Sequence, residues 1–170
     1  MTLDNLRNSL LTVCRLLEKH NVQYLIVGGT AVALNGYYRM SMDTAGYPAS
    51  KPDIDIWYNP TYDNYFNILK IIEELGQDIT EFKNEKTPQP RSSFFKLDFD
   101  GFTLDFLPSI KATTITFENA CKNRQTIKFD DSSVHFMSYS ELIEDKKATS
   151  RAKDLSDIEE LKKLKGDENK

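Results

Sequence analysis

Asp53-Ile54-Asp55-Ile56-Trp57-Tyr58 is the stretch on which the reading of the chain turns. Its two-residue period predicts a strand whose two faces differ, because successive side chains of a strand leave opposite sides of a sheet. Ile54 and Ile56 enter the core, and Asp53 and Asp55 emerge side by side on the other face. Aspartate is disfavoured in strands, and two like charges on one face repel unless water or a cation separates them. A divalent cation resolves the conflict, and Mg²⁺ prefers carboxylate oxygens in a shell completed by water and phosphate. For a lone Asp-x-Asp, a solvated strand face is the plainer alternative.

Upstream, Leu3, Leu6, Leu10, Val13 and Leu17 recur at three- and four-residue steps and predict a helix over about residues 3 to 19 that docks one apolar stripe. Tyr24-Leu25-Ile26-Val27 reads as a short buried strand, followed by Gly28-Gly29 and a short helix with Thr30 near its N-cap. Glycines at such a strand-to-helix junction let the backbone approach an anion, and the N–H groups of the next turn point at it. A tight turn is the competing reading. Residues 37 to 52 lose periodicity and read as a long loop, with Arg39 and Lys51 bracketing it.

Downstream, Asn59-Pro60 predicts a helix start, and Tyr62, Phe66, Leu69 and Ile72 its buried face over about 60 to 75. Asp100-Gly101 is a two-residue hairpin signal that fixes a register: Phe99 with Phe102, Asp98 with Thr103, Leu97 with Leu104, Lys96 with Asp105. Lys96, Asp98, Thr103 and Asp105 then share one face, and the aromatic and leucine residues between them form the core face. If this hairpin lies beside Asp53 and Asp55, Asp105 brings a third carboxylate, enough to hold two metal ions. Asp98 competes with it, or makes a solvated pair with Lys96. A second hairpin is expected around Asp130-Asp131-Ser132, a capping box at Ser138 and Glu141, and a last helix over about 154 to 165 carrying Leu155, Ile158, Leu161 and Leu164.

The composition is that of an ordinary globular domain: 170 residues, 39% hydrophobic and 28% charged, with no apolar run long enough to span a bilayer. The net charge of −4 argues against a protein that tracks nucleic acid along a basic groove, so any such contact is local. Cys14 and Cys121 are too few for a disulfide framework and lack zinc spacing, and both are read as reduced thiols. Met1 to His20 does not read as a signal peptide, which sets the expectation of a cytoplasmic protein with no membrane contact. One domain over 1–170 is expected, with 166–170 as a disordered tail, and His20 and His135 are read as structural.

In order, Gly28-Gly29-Thr30, Asp53-Ile54-Asp55 and Leu104-Asp105-Phe106 resemble the motifs of the nucleotidyltransferase superfamily with a DNA polymerase beta-like palm. The stretches Gly28 to Arg39 and Lys146 to Ile158 look most like the AbiEii/AbiGii-type toxin nucleotidyltransferases. The resemblance implies an α+β fold, a mixed-sheet palm flanked by helices. It implies that Gly28, Gly29 and Thr30 hold the triphosphate of an NTP, that Asp53 and Asp55 bind Mg²⁺ (two ions, with Mn²⁺ as a substitute), and that Asp105 is the third carboxylate, facing the attacking hydroxyl. Lys146 or Lys147, with Asp154, matches a later charged motif in which the lysine neutralises phosphate. The implied acceptor is RNA, particularly a tRNA end, or a protein side chain, and the implied partner a cognate antitoxin. A palm that binds nucleotide and metal without transferring is the rival. Gly29 and Asp53 stand 24 positions apart, more than the superfamily's usual interval, so residues 40 to 51 read as an insertion.

Overall fold

The computed structural model describes residues 3–38 and 51–167. The expectations for Arg39, for most of the 37–52 loop and for the end of the tail at 168–170 fall outside the described residues. Helix α1 (Leu3–Lys19) occupies the expected span and packs Leu10, Val13, Cys14 and Leu17 inward. Strand β1 (Tyr24–Val27) is wholly buried and runs directly into α2 (Gly28–Leu34). Thr30 is therefore the third helical residue and not the cap, which is Val27. Its hydroxyl caps no helix N–H and instead donates to the Asp53 carbonyl at 2.9 Å.

Strand β2 (Asp53–Tyr58) leads to α3 (Tyr62–Glu74), whose start differs from expectation. Thr61 is the cap, its hydroxyl accepting from the Asn64 N–H at 3.3 Å, because the Asn59 amide is engaged with Gln23 Oε1 at 2.7 Å. The buried face also differs. Tyr65, Ile68, Leu69 and Ile72 point inward while Tyr62 and Phe66 are exposed. Apolar residues mark more than one stripe of this helix, and a polar residue sets its phase: buried Asn64 accepts from the Gln23 N–H at 2.8 Å and donates to its carbonyl at 2.7 Å. An amide that satisfies both backbone groups of one residue must sit on the inner face.

After the short α4 (Thr80–Lys83), β3 (Phe95–Asp98) and β4 (Thr103–Leu107) form the expected hairpin in the expected register, Lys96 opposite Asp105 and Asp98 opposite Thr103. Asp98 pairs with Lys51 and not with Lys96. Helix α5 (Phe117–Asn123) precedes a second hairpin, β5 (Gln125–Phe129) and β6 (Ser132–Phe136), turned by Asp130 in the left-handed region at φ +54°. Ser138 precedes α6 (Tyr139–Thr149), but its hydroxyl donates to Glu141 Oε2 at 2.9 Å, so the two side chains of the expected capping box meet each other and the serine caps no backbone N–H. The last helix, α7 (Ala152–Asp167), reaches past Gly166. Its inner face carries Asp154, Asp157, Ile158 and Leu161, leaving Leu155 and Leu164 exposed, contrary to the expected leucine stripe.

The six strands form one mixed sheet in the order β3-β4-β2-β1-β6-β5. The β2–β4 and β1–β6 pairs are parallel and the rest antiparallel. Leu25, Ile26, Ile54, Ile56, Leu104 and Phe106 fill the centre, with α1 lying on β6 and α3, and α2 on β1 and β2. This is the expected α+β architecture. Cys14 and Cys121 are free thiols. No described helix is long and apolar enough to cross a membrane.

Candidate functional site

Two strand registers build the site. The parallel pairing sets Asp53 opposite Thr103 and Asp55 opposite Asp105, so the carboxylates of three residues share one face. One oxygen of each lies within 4.8 Å of the others. Asp98 is excluded from this group by its pairing with Lys51, at the tip of the hairpin. The antiparallel pairing of β1 with β2 sets Val27 opposite Asp55 and thereby brings Gly28 against the same carboxylate.

Gly28 has φ +63°, and a Cβ there would lie 2.1 Å from Asp55 Oδ2. Both the backbone conformation and the close approach require glycine. Gly28 and Gly29 line a cleft of about 880 Å³ together with Asp53, Asp55 and Asp105. Its far wall comes from Phe94, Lys96 and the 107–111 segment, and its other side from Lys146, Thr149, Arg151 and Lys153. The 107–111 segment is tied to α6, because Asp145 Oδ1 accepts from the N–H groups of Lys111 and Ala112 at 2.9 and 3.0 Å.

Burial and the mutual repulsion of the carboxylates set the electrostatics. Burial pushes the Asp55 carboxyl up to about 7, and the charges of Asp53 and Asp105 add to that, against the opposing pull of Lys146 and Lys153. Burial, then Asp53, also raises Asp105, with Lys96 opposing. Asp105 Oδ1 is buried and has no hydrogen-bond partner among the described residues. A buried polar atom without a partner is costly, so an oxygen left this way is shaped for a ligand. Three convergent carboxylates, one with an orphaned oxygen, fit a hard divalent cation.

The remaining expected site residues fall in different places. Thr30 is buried and bonded to Asp53 and does not line the cleft. Lys147 is exposed and is likewise not among the lining residues. Lys146 lines the cleft, but its ammonium lies between two fully buried carboxylates, 2.9 Å from Asp154 Oδ1 and 2.8 Å from Asp157 Oδ2. Arg151 Nε donates to the other oxygen of Asp154 at 2.7 Å. Sequence reading missed Phe94, Lys96 and Lys153 as cleft residues. Lys96 had a signal, its register opposite Asp105, whereas Phe94 had none. His20 bonds Glu74 and His135 bonds Thr126, both away from the cleft.

Three solved structures share this architecture. An antigenic nucleotidyltransferase-like protein from Paracoccidioides brasiliensis aligns with a TM-score of 0.56 at 16% identity, over 96% of this chain and 78% of its own. The lincosamide antibiotic adenylyltransferase LnuA, solved with lincomycin bound, aligns at 0.58 and 19% identity over 95% and 97%. A Thermotoga maritima protein described as a nucleotidyltransferase aligns at 0.53 and 16% over 98% and 96%. The chain thus has a nucleotidyltransferase-like fold, and at these identities the likeness is one of fold. No protein-family model and no curated protein sequence matches the chain.

Proposed function

We propose that the chain is a nucleotidyltransferase, moving a nucleoside monophosphate from an NTP to an acceptor hydroxyl with release of pyrophosphate. One observation carries the reading: Asp53, Asp55 and Asp105 converge with an orphaned Asp105 oxygen, next to a glycine that Asp55 itself requires. Asp53, Asp55 and Asp105 would hold Mg²⁺, with Mn²⁺ as a substitute. When bound, the cations supply charge neutralisation at the phosphates. Gly28 and Gly29 give the triphosphate a wall without side chains. Asp105 receives the proton of the attacking hydroxyl as the bond from the acceptor oxygen to the α-phosphorus forms and that to the pyrophosphate oxygen, which leaves with its electron pair, breaks. Lys146 contributes its charge from a fixed position held by Asp154 and Asp157. Thr30 acts by seating α2 on β2.

RNA, a tRNA end above all, or a protein hydroxyl is the acceptor class that the likeness to AbiEii/AbiGii-type toxins suggests, with a cognate antitoxin as partner. The test incubates the purified full chain with each α-labelled NTP, Mg²⁺, and either total tRNA or lysate protein. Label on an acceptor that disappears with Asp55→Ala supports transfer. Stabilisation by NTP without label on any acceptor supports the nucleotide-binding module in place of the enzyme.

A further inference from the structure

Asp53 is the most exposed of the three carboxylates and stands at the first position of its strand, where an unrestrained side chain would sample several rotamers. Its partner in the parallel register is Thr103, whose hydroxyl donates to Asp53 Oδ1 at 2.6 Å. The residues flanking the pair are fastened as well. The Thr103 N–H donates to the Pro52 carbonyl at 2.9 Å, and Lys51 Nζ donates to the Phe99 carbonyl at 2.7 Å besides pairing with Asp98. Thr30 holds the Asp53 carbonyl from the opposite side. The segment 51–53 is thus zipped to the hairpin, and the threonine hydroxyl arrives at a preset place.

From this geometry we infer that Thr103 is a positioning residue for the cation site: it commits Asp53 Oδ1 as an acceptor and so fixes the carboxylate beside Asp55 and Asp105. The inference rests on the proposed cation site. A hydroxyl donor suits this task because it bonds the ionised carboxylate without adding charge that would compete with a cation. Hydrogen bonds that orient ligating carboxylates are worth 10- to 100-fold in metal affinity in other sites. Asp53 is exposed at the cleft rim, where water competes for its oxygens, so the lower end of that range applies here.

The experiment is a Mn²⁺ titration of the full chain, without nucleotide, followed by the paramagnetic signal of the free ion. Wild type and Thr103→Ser, which keeps the hydroxyl, should bind alike. Thr103→Val, which keeps the shape and removes the donor, should bind roughly ten-fold more weakly, with an unchanged unfolding midpoint in the absence of Mn²⁺. Thr103→Ala guards against misfitting of the valine and should match it. Equal affinity of wild type and both donor-free variants overturns the positioning role while leaving the cation site standing. Absence of Mn²⁺ binding by wild type overturns both.

Discussion

Two clusters of charged side chains adjoin the same cleft and are built on opposite principles. Around Lys146, two fully buried carboxylates meet two cations: Asp154 and Asp157 hold the ammonium, and Arg151 takes the second oxygen of Asp154. Around Asp55, three carboxylates meet with no cation in direct contact among the described residues, and one oxygen of Asp105 is left without a partner. Each buried charge of the first cluster has its counter-charge within the chain, and the cluster joins α6 to α7 while fixing the Lys146 ammonium beside the cleft. In the second, no lysine or arginine among the described residues contacts the carboxylates, and their mutual repulsion marks it as a place where something binds.

The largest effect expected from this contrast lies in the compensated cluster. Lys146→Ala takes the ammonium away from two buried carboxylates and should lower the unfolding free energy by about 3–5 kcal/mol, read from urea denaturation. An unchanged midpoint would mean that the two clusters do not differ as described. Gly28→Ala forces a side chain into Asp55 and a non-glycine residue to φ +63°, and should cost about 2–3 kcal/mol by the same assay. Asp55→Asn, by contrast, relieves repulsion. It should raise the stability of the metal-free protein at pH 7 by about 1–2 kcal/mol while abolishing stabilisation by Mn²⁺.

The pH dependence separates the clusters by sign. The Asp55 carboxyl is raised in the folded protein to about 7 from an ordinary 3.8, so the folded state binds more protons between those values and stability falls as pH rises across that window. Asp154 is lowered: burial pushes it up, but the hydrogen bonds and charges of Arg151 and Lys146 outweigh that, so its contribution is present above the ordinary carboxylate range and is lost as pH falls below it. Metal-free protein should therefore gain stability from pH 8 to pH 5 in thermal unfolding and lose it again below about pH 4, and Asp55→Asn should make the first limb shallower, leaving the share of Asp105, without altering the second. The exposed Lys122–Glu118 pair sets the baseline, and Lys122→Ala should leave the midpoint unchanged within error.

What could be read in the sequence follows the same division. The hairpin register was legible because Asp100-Gly101 allows one two-residue turn, and that turn alone sets Lys96 opposite Asp105. Asp53 and Asp55 were legible because an alternating strand leaves them no other face. The inward turn of Asp154 and Asp157 was not, since Leu155, Ile158, Leu161 and Leu164 offer an apolar stripe of their own, and only the pairing with Lys146 across two helices makes the aspartates the better inner face. The phase of α3 was hidden likewise, because it depends on Asn64 meeting the backbone of Gln23, 41 residues away. Thr103 was placed on the right face, but its bond to Asp53 needs the β2–β4 pairing, which no local pattern specifies.

The most direct test is a crystal structure of the full chain with Mn²⁺ and a non-hydrolysable NTP, read by anomalous scattering. Manganese peaks in contact with Asp53, Asp55 and Asp105, with the triphosphate against Gly28 and Gly29, are the result expected. Nucleotide or metal bound elsewhere, with Asp105 Oδ1 still unpartnered, would contradict the assignment of this cleft.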